Sequence, residues 1–380
     1  MKHLQFESVL SGTRVFITGH TGFTGSWCCL WLKSIGVEIS GYSLPPETDP
    51  ALFHVLGLDR TVPSTYADIQ DGDAVLSVMK EVEPDLVLHL AAQPLVRRSY
   101  LKPVETFAVN ALGTAHVLEA ARQVKSVKGV VCVTTDKVYR NNEWEWPYRE
   151  NDPLGGKDPY SASKAAAEMV IQSYAASFPH KDGAGPAIAT ARGGNIIGGG
   201  DWSEDRLVPD FVRAVMRNEA LTLRYPDATR PWQHVLALVQ GYGMLLAGLL
   251  SSEPERFARA WNLGPQDVRQ VSVRQVLEAM AGHWRRPNLL YMDQPLPEAG
   301  ALALDSSLAR NKLDWLPAWS VEEVIKQTAL WYKAFEAADC STESGKKEVS
   351  ALTLSQIEAW RRVLLARESA GLGGGLADVV

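Results

Sequence analysis

Thr18-Gly19-His20-Thr21-Gly22-Phe23-Thr24-Gly25 is the stretch whose reading decides the fold. It follows a run with the character of a buried strand, Arg14–Thr18, and leads into a helical segment at 26–35 with Gly36 placed as its C-terminal cap. Glycines at this spacing let a backbone turn approach a pyrophosphate closely. The helix N-terminus behind them supplies free N–H groups and the positive end of a dipole. The stretch therefore predicts a dinucleotide-binding turn held by Gly19, Thr21, Gly22, Phe23 and Gly25.

Outward from this turn, short apolar runs rich in β-branched residues at 37–42, 85–90, 129–134 and 187–191 alternate with helix-length segments. Together they predict an α/β fold, a Rossmann-type doubly wound parallel sheet. The segments 103–124 and 159–178 carry apolar residues at helical spacing and begin at Pro103 and Pro159, where a missing N–H costs little. Beyond 193 the alternation fades, and the glycines of 193–200 with Pro209, Pro226 and Pro231 predict loops feeding a smaller mixed α/β substrate-binding lobe. The expected division is a cofactor domain over 1–192 and a lobe over 193–335, with a helix at 234–250 and a strand at 260–263 returning to the first domain. Over 341–380 the composition turns polar; an amphipathic helix at 353–366 and a frayed tail containing Gly371 to Gly375 are expected there.

With 380 residues and 46% hydrophobic content the chain can bury a large core, which excludes general disorder. A net charge of −6 offers no basic footprint, so nucleic acid is not an expected partner. No apolar run reaches the roughly 18 residues of a membrane span, and a cytoplasmic location is expected. Cys28, Cys29, Cys132 and Cys340 lack metal-ligand or disulfide-framework spacing, so buried thiols and no metal site are expected.

Thr134-Thr135-Asp136-Lys137 ends a predicted buried strand, so its side chains should emerge in the cofactor crevice. Further on, Tyr160-Ser161-Ala162-Ser163-Lys164 places Tyr160 and Lys164 on one helix face. There the ammonium can lower the phenol from about 10 towards neutrality and make it a base for an alcohol. Thr135 is placed to hydrogen-bond the hydroxyl being oxidised, and Asp136, once burial makes it a weaker acid, to protonate a leaving hydroxyl. A plain dehydrogenase needs only the Tyr and Lys; the adjacent acid points to oxidation coupled to elimination of water. Lys137 has two readings, a base towards an acidified C–H or a counter-charge for Asp136. Gly41-Tyr42-Ser43 lacks the acid that would bind the adenosine ribose, which leaves NAD and NADP both open. Asp68, followed by Ile69, is the candidate to face the adenine, and His89 reads as a satisfied core histidine.

The glycine turn, His89-Leu90-Ala91-Ala92, Asn110 with Gly113-Thr114, the Thr-Asp-Lys element and Tyr160 to Lys164 together resemble the extended short-chain dehydrogenase/reductase superfamily. Within it they are similar to the nucleotide-sugar 4,6-dehydratases, over roughly residues 10–335. The stretches 91–100, 193–202, 206–210 and 230–235 resemble the branch acting on CDP-glucose. That resemblance implies NAD as cofactor, with Ala91 and Asn110 joining its site. It also implies conversion of CDP-glucose to CDP-4-dehydro-6-deoxyglucose by C4 oxidation, loss of the C5 proton and C6 hydroxyl, and return of the hydride to C6. In the family such products supply deoxysugars for surface polysaccharides. Gln93, Arg97 and Ser99 are implied on the sugar side, and Asn195, Arg206, Arg230 and His234 in the nucleotide-sugar pocket, with Arg230 as a pyrophosphate clamp. Trp202 and Trp232 are candidates to cover the nucleotide. The helices at 103–124 and 159–178 resemble those that build an intersubunit bundle in relatives, which implies a homodimer or homotetramer.

Two departures limit the transfer. Many dTDP-glucose dehydratases carry Glu where Lys137 stands, and Gly193-Gly194 replaces the more usual Ala-Gly of the CDP-glucose branch. The alternatives are a 4-epimerase, which usually has a small residue in place of Asp136, a dehydratase of another nucleotide sugar, or a non-catalytic dinucleotide sensor. The intact Thr135, Asp136, Tyr160 and Lys164 argue against the sensor.

Overall fold

The computed structural model describes residues 3–223, 225–265, 271–291 and 302–370. Strands β1 (Arg14–Thr18), β2 (Glu38–Ser43), β3 (Ser64–Tyr66), β4 (Leu86–His89), β5 (Gly129–Val133) and β6 (Ala187–Arg192), with a seventh at Ala260–Asn262, form one sheet. Every pairing is parallel, in the order β3-β2-β1-β4-β5-β6 followed by Ala260–Asn262. Strand order reverses between β1 and β4, so the crevice beyond their carboxyl ends is the switch point where such sheets bind ligands.

Side-chain alternation feeds both faces. Val15 and Ile17 share a core with Trp27, Leu236 and Leu245, whereas Phe16 between them shares another with Val75, Val117 and Ile171. Helices α1 (Gln5–Leu10), α2 (Phe23–Ser34) and Val235–Leu249 cover the first face; Gly72–Val82, Gly113–Gln123 and Pro159–Ser177 cover the second. The returning helix and strand expected at 234–250 and 260–263 are both present. β3 was not expected, being only three residues long and at the sheet edge.

The expected helix at 103–124 is broken into Pro103–Phe107, a π-helical turn at Ala108–Leu112 and Gly113–Gln123. Asn110 sits in that turn with its carboxamide inside the protein, accepting from Gln93 N at 2.8 Å and donating to Ser163 Oγ at 2.8 Å. Pro159–Ser177 starts cleanly because Asp158 caps it, accepting from Ser161 N at 3.0 Å, and Pro159 occupies the first turn.

After Arg192 the chain forms small sheets: Ile196–Ile197 beside Gln233–His234, Thr229–Arg230 beside Val271–Ser272, and Ala220–Leu223 beside Asn288–Tyr291. Leu207–Arg217 and Val273–His283 pack among them, giving the mixed lobe. The last helix runs over Glu343–Ser369, well beyond the expected 353–366, because Thr342 caps it and Trp360 docks on Gln240 at 3.0 Å. The tail expected around Gly371 to Gly375 lies outside the described residues. Among the described residues no helix is long and apolar enough to cross a membrane.

One buried ion pair pins the helix Pro159–Ser177 to the sheet. Arg192, at the end of β6, meets Glu168 through Nε at 2.9 Å and Nη2 at 2.7 Å, both side chains sealed from solvent. Thr134, just past β5, donates to the same carboxylate at 2.6 Å. Arg192→Met would strand the Glu168 charge, so we expect it to lower the unfolding free energy by about 3–5 kcal/mol in equilibrium denaturation. The double change Glu168→Leu with Arg192→Met should recover most of that loss; a loss under about 1 kcal/mol in the single variant would contradict this role.

Candidate active site

A cavity of about 980 Å³ opens beyond the carboxyl ends of the strands and runs between the sheet and the smaller lobe. That is the upper end of the roughly 300–1,000 Å³ of ordinary ligand clefts. Its floor at one end is the glycine turn. Gly19 has φ +72°, and a Cβ on it would lie 2.7 Å from Ala91 N; a Cβ on Gly25 would lie 2.3 Å from Gly19 O. Only glycine lets the turn sit this close to its neighbours and present the N-terminus of α2 to the cavity. Gly19, Thr21, Gly22, Phe23, Gly25, Asp68, Ile69 and Ala91 all line the wall. Thr21 donates to Leu44 O at 2.9 Å and is bonded to Ser43 Oγ at 2.9 Å, which ties the turn to the end of β2. Asp68 accepts from Gln70 N at 2.9 Å and Gln70 Nε2 at 3.1 Å. The tight turn, the helix end and the elongated cleft fit a dinucleotide.

At the centre of the cavity Thr135, Asp136, Lys137, Tyr160 and Lys164 come together with Asn195. The Asp136 carboxyl is only 2% exposed. Its Oδ1 accepts from the Thr135 hydroxyl at 2.9 Å and its Oδ2 from Asn195 Nδ2 at 3.0 Å. The Tyr160 phenol lines the same part of the wall, close enough to respond to both the Thr135 hydroxyl and the Asp136 charge. Lys164 Nζ donates to Val133 O at 3.2 Å. The expected lowering of the phenol by this ammonium is corrected here: burial pushes Tyr160 up to about 12, the nearby Thr135 hydroxyl opposing the rise and the Asp136 charge adding to it. Burial likewise pushes Lys164 down to about 8.

On the far side, Gln93, Arg206 and Arg230 line the cavity. Gln93 spends its carboxamide on Leu95 O and Thr106 Oγ1. Arg206 pairs with Asp201 at 2.9 Å, and Arg230 Nη1 donates to Thr229 O at 2.8 Å.

Four of the expected residues, Asn110, Arg97, Ser99 and His234, do not line the cavity. Asn110 lies behind the wall in its π turn. Arg97 bonds Asp205, itself a cavity-lining residue, at 2.7 Å, while Arg98, the next residue on the helix Val96–Leu101, lines the cavity and bonds Glu47 at 3.2 Å and Glu105 at 3.0 Å. Ser99 is fully buried and donates to Val96 O at 2.6 Å. His234 caps Val235–Leu249, accepting from Leu236 N at 3.2 Å, and its ring lies against Trp27, Trp319 and Trp360.

Trp202 reaches the cavity wall, yet packs on Tyr332 and Phe335, and Trp232 donates to Val271 O at 3.0 Å. His89 is the satisfied core histidine expected, bonded to Thr18 at 2.7 Å and Thr114 at 3.0 Å. Arg98, Glu47, Glu105 and Asp201 were missed; no spacing marked them, because they come to the cavity only through tertiary contacts.

The Lys164 shift gives a pH signature. Its folded value of about 8 lies below the ordinary 10.5, so the buried ammonium costs stability below pH 8, and that cost fades as pH rises to 10.5. The stability of Lys164→Met minus that of the natural chain should therefore fall by about 3 kcal/mol between neutral pH and about pH 11. A difference that does not change across that window would contradict the buried charge.

A family model described as GDP-mannose 4,6 dehydratase matches residues 16–328. The chain is 42% identical over 344 residues to a CDP-glucose 4,6-dehydratase of Salmonella typhimurium, covering 89% of this chain and 96% of that protein. The fold is shared with the dTDP-glucose 4,6-dehydratase DesIV of Streptomyces venezuelae, solved with NAD and TYD bound. That match has a TM-score of 0.73 and 21% identity, and covers 84% of this chain and 96% of that one. The fold is also shared with the UDP-glucose 4-epimerase of Thermus thermophilus in complex with NAD, at a TM-score of 0.70 and 27% identity over 84% of this chain and 98% of that one. With a family model matched across most of its length and the Salmonella relative aligned nearly end to end, this chain belongs to the GDP-mannose 4,6-dehydratase family of nucleotide-sugar enzymes.

Proposed function

We propose that the protein is an NAD-dependent CDP-glucose 4,6-dehydratase, a hydro-lyase that makes CDP-4-dehydro-6-deoxyglucose and water. The observation that carries this reading is the buried Asp136 carboxyl, bonded to Thr135 and sharing with Tyr160 the wall of the cavity that the glycine turn floors. An oxidation base alone would need no such acid. The choice of CDP-glucose is supported by the likeness to the Salmonella enzyme.

NAD would be held by Gly19, Thr21, Gly22, Phe23, Gly25, Asp68, Ile69 and Ala91, and would supply a hydride acceptor for C4 and a hydride donor for C6. Tyr160 removes the O4 proton, with Lys164 standing one helical turn on in the same wall. The C4 ketone makes the C5 proton acidic, and Lys137 lines the same cavity as the candidate to take it. Asp136 gives its proton to the C6 hydroxyl as the C–O bond breaks. Arg206 and Arg230 offer guanidinium groups to the pyrophosphate. The cofactor domain over 1–192 and the substrate lobe over 193–335 divide these tasks, in a cytoplasmic enzyme whose four cysteines are free thiols.

A second copy of the chain completes the assembly in this reading. Tyr100, Leu101, Val104, Leu112 and Met169 expose large apolar side chains on helices that pack together beside the cavity. Leu101→Glu with Val104→Glu should convert a dimer to a monomer in light scattering; an unchanged mass would remove this face from the interface.

Turnover is tested by supplying NAD with CDP-glucose, dTDP-glucose, UDP-glucose and GDP-mannose and detecting the 4-keto-6-deoxy sugar together with loss of water by mass. Product from CDP-glucose alone is expected; conserved mass would point to an epimerase, and preference for another nucleotide would overturn the substrate. Asp136→Asn should retain C4 oxidation while losing about 10²–10⁴-fold in water loss.

A further inference from the structure

Two walls of the cavity are tied together by one arginine. Arg98, on the helix Val96–Leu101 that follows β4, donates through Nη1 to Glu47 at 3.2 and 3.3 Å, and through Nη2 to Glu105 at 3.0 Å. Glu105 lies on the neighbouring helix Pro103–Phe107 and also pairs with Lys102 at 2.9 Å, so it holds the guanidinium from its own side. Glu47 is the partner across the cleft. It belongs to the loop leaving β2, where Thr21 fixes Leu44 O and Pro45-Pro46 stiffen the chain just ahead of it.

Sheet order fixes what lies beneath this tie. β1 runs between β2 and β4, so a bond from the chain after β2 to the chain after β4 crosses over the glycine turn that follows β1. Arg98 and Glu47 line the same cavity as that turn, yet their side chains are 36% and 59% exposed. A pair that both lines the cavity and meets water stands at its rim. Among the described lining residues ahead of Lys137, Arg98 is the only arginine or lysine, so no neighbouring cation can replace it. Arg97 makes a second tie from the same helix, to Asp205 of the smaller lobe at 2.7 Å.

We propose that the Arg98–Glu47 pair is a strap across the cofactor seat, which opens for NAD to enter or leave and keeps reduced cofactor in place between the two hydride transfers. Its location rests on NAD binding at the glycine turn, and its purpose on the dehydratase reading. A hydride taken from C4 can return to C6 only if the NADH that holds it does not escape in between. Exposed ion pairs are individually weak, which suits a closure that opens at each exchange of cofactor. Because the two side chains are spent on each other, the strap governs passage rather than affinity.

Stopped-flow fluorescence of NADH binding and release, with no nucleotide sugar present, tests this. Glu47→Gln and Arg98→Gln should each raise the association and dissociation rate constants together by about two- to fivefold, with Kd changed less than about twofold. The double variant should be no faster than the faster single one, since both remove the same bond. The two substitutions change net charge in opposite senses, so a common effect excludes electrostatic steering of the anionic cofactor. Unchanged rates overturn the strap, and so do association rates that move in opposite directions in the two variants. Faster dissociation at unchanged association would make Arg98 or Glu47 a ligand of the cofactor and overturn it as well. Rates raised together in a protein that dehydrates no nucleotide sugar uphold the strap and overturn only the assigned reaction.

Discussion

The buried pair of Glu168 and Arg192 is the constraint on which the rest of the site depends. It joins the helix that carries Tyr160 and Lys164 to the end of β6, and through Thr134 to the end of β5, one residue before Thr135. Arg192 also donates to the Tyr139 hydroxyl and to Glu150 O, both at 2.9 Å, and Tyr139 donates onward to Asn262 on the seventh strand at 2.6 Å. Taking two charges out of water is expensive, and a pair of this kind gives little net stability. What it can provide is geometry, since only one setting of the helix against the sheet satisfies all of these groups together. Acid and base chemistry needs its groups held to within about half an ångström, and here the two halves of the machinery reach the cavity from a helix and from strand ends locked by one carboxylate.

Burial that makes this lock rigid also sets the chemistry. The same dry environment pushes Tyr160 up and Lys164 down, so both titrate away from their ordinary values and respond strongly to a new neighbour. A cationic nicotinamide or an anionic oxygen at C4 would meet a site of low polarisability, where one added charge counts for more than it would in water. The smaller lobe contributes Asn195, Arg206 and Arg230 to the same cavity.

Much of this was legible in the chain, and the reasons are physical. Buried parallel strands need unbroken apolar runs, so β1, β4, β5 and β6 announced themselves, whereas β3, short and at the edge, did not. The glycine turn and the Tyr/Lys spacing were readable because backbone approach and helical periodicity are local. Which way a side chain faces is not local. Arg97 and Arg98 are neighbours in sequence, but only the second lines the cavity, and His234 falls two residues past Trp232 of the cavity wall, where the chain has already become the cap of a core helix. The Tyr160 phenol was misjudged because a neighbouring charge can be read from spacing, while the larger effect of burial cannot. The last helix was expected to be an appendage, yet Trp360 and the Arg361 contact with Glu7 seat it against the first domain. Polar composition at its start concealed one buried stripe through Val349, Thr353 and Ile357.

The claim that oxidation, elimination and reduction all occur in this one cavity is tested most directly with CDP-glucose carrying deuterium at C4. If the protein acts as described, the deuterium is found at C6 of the 4-keto-6-deoxy product, in the absence of any added reductant. Deuterium that stays at C4, or is lost from the sugar, would contradict the account.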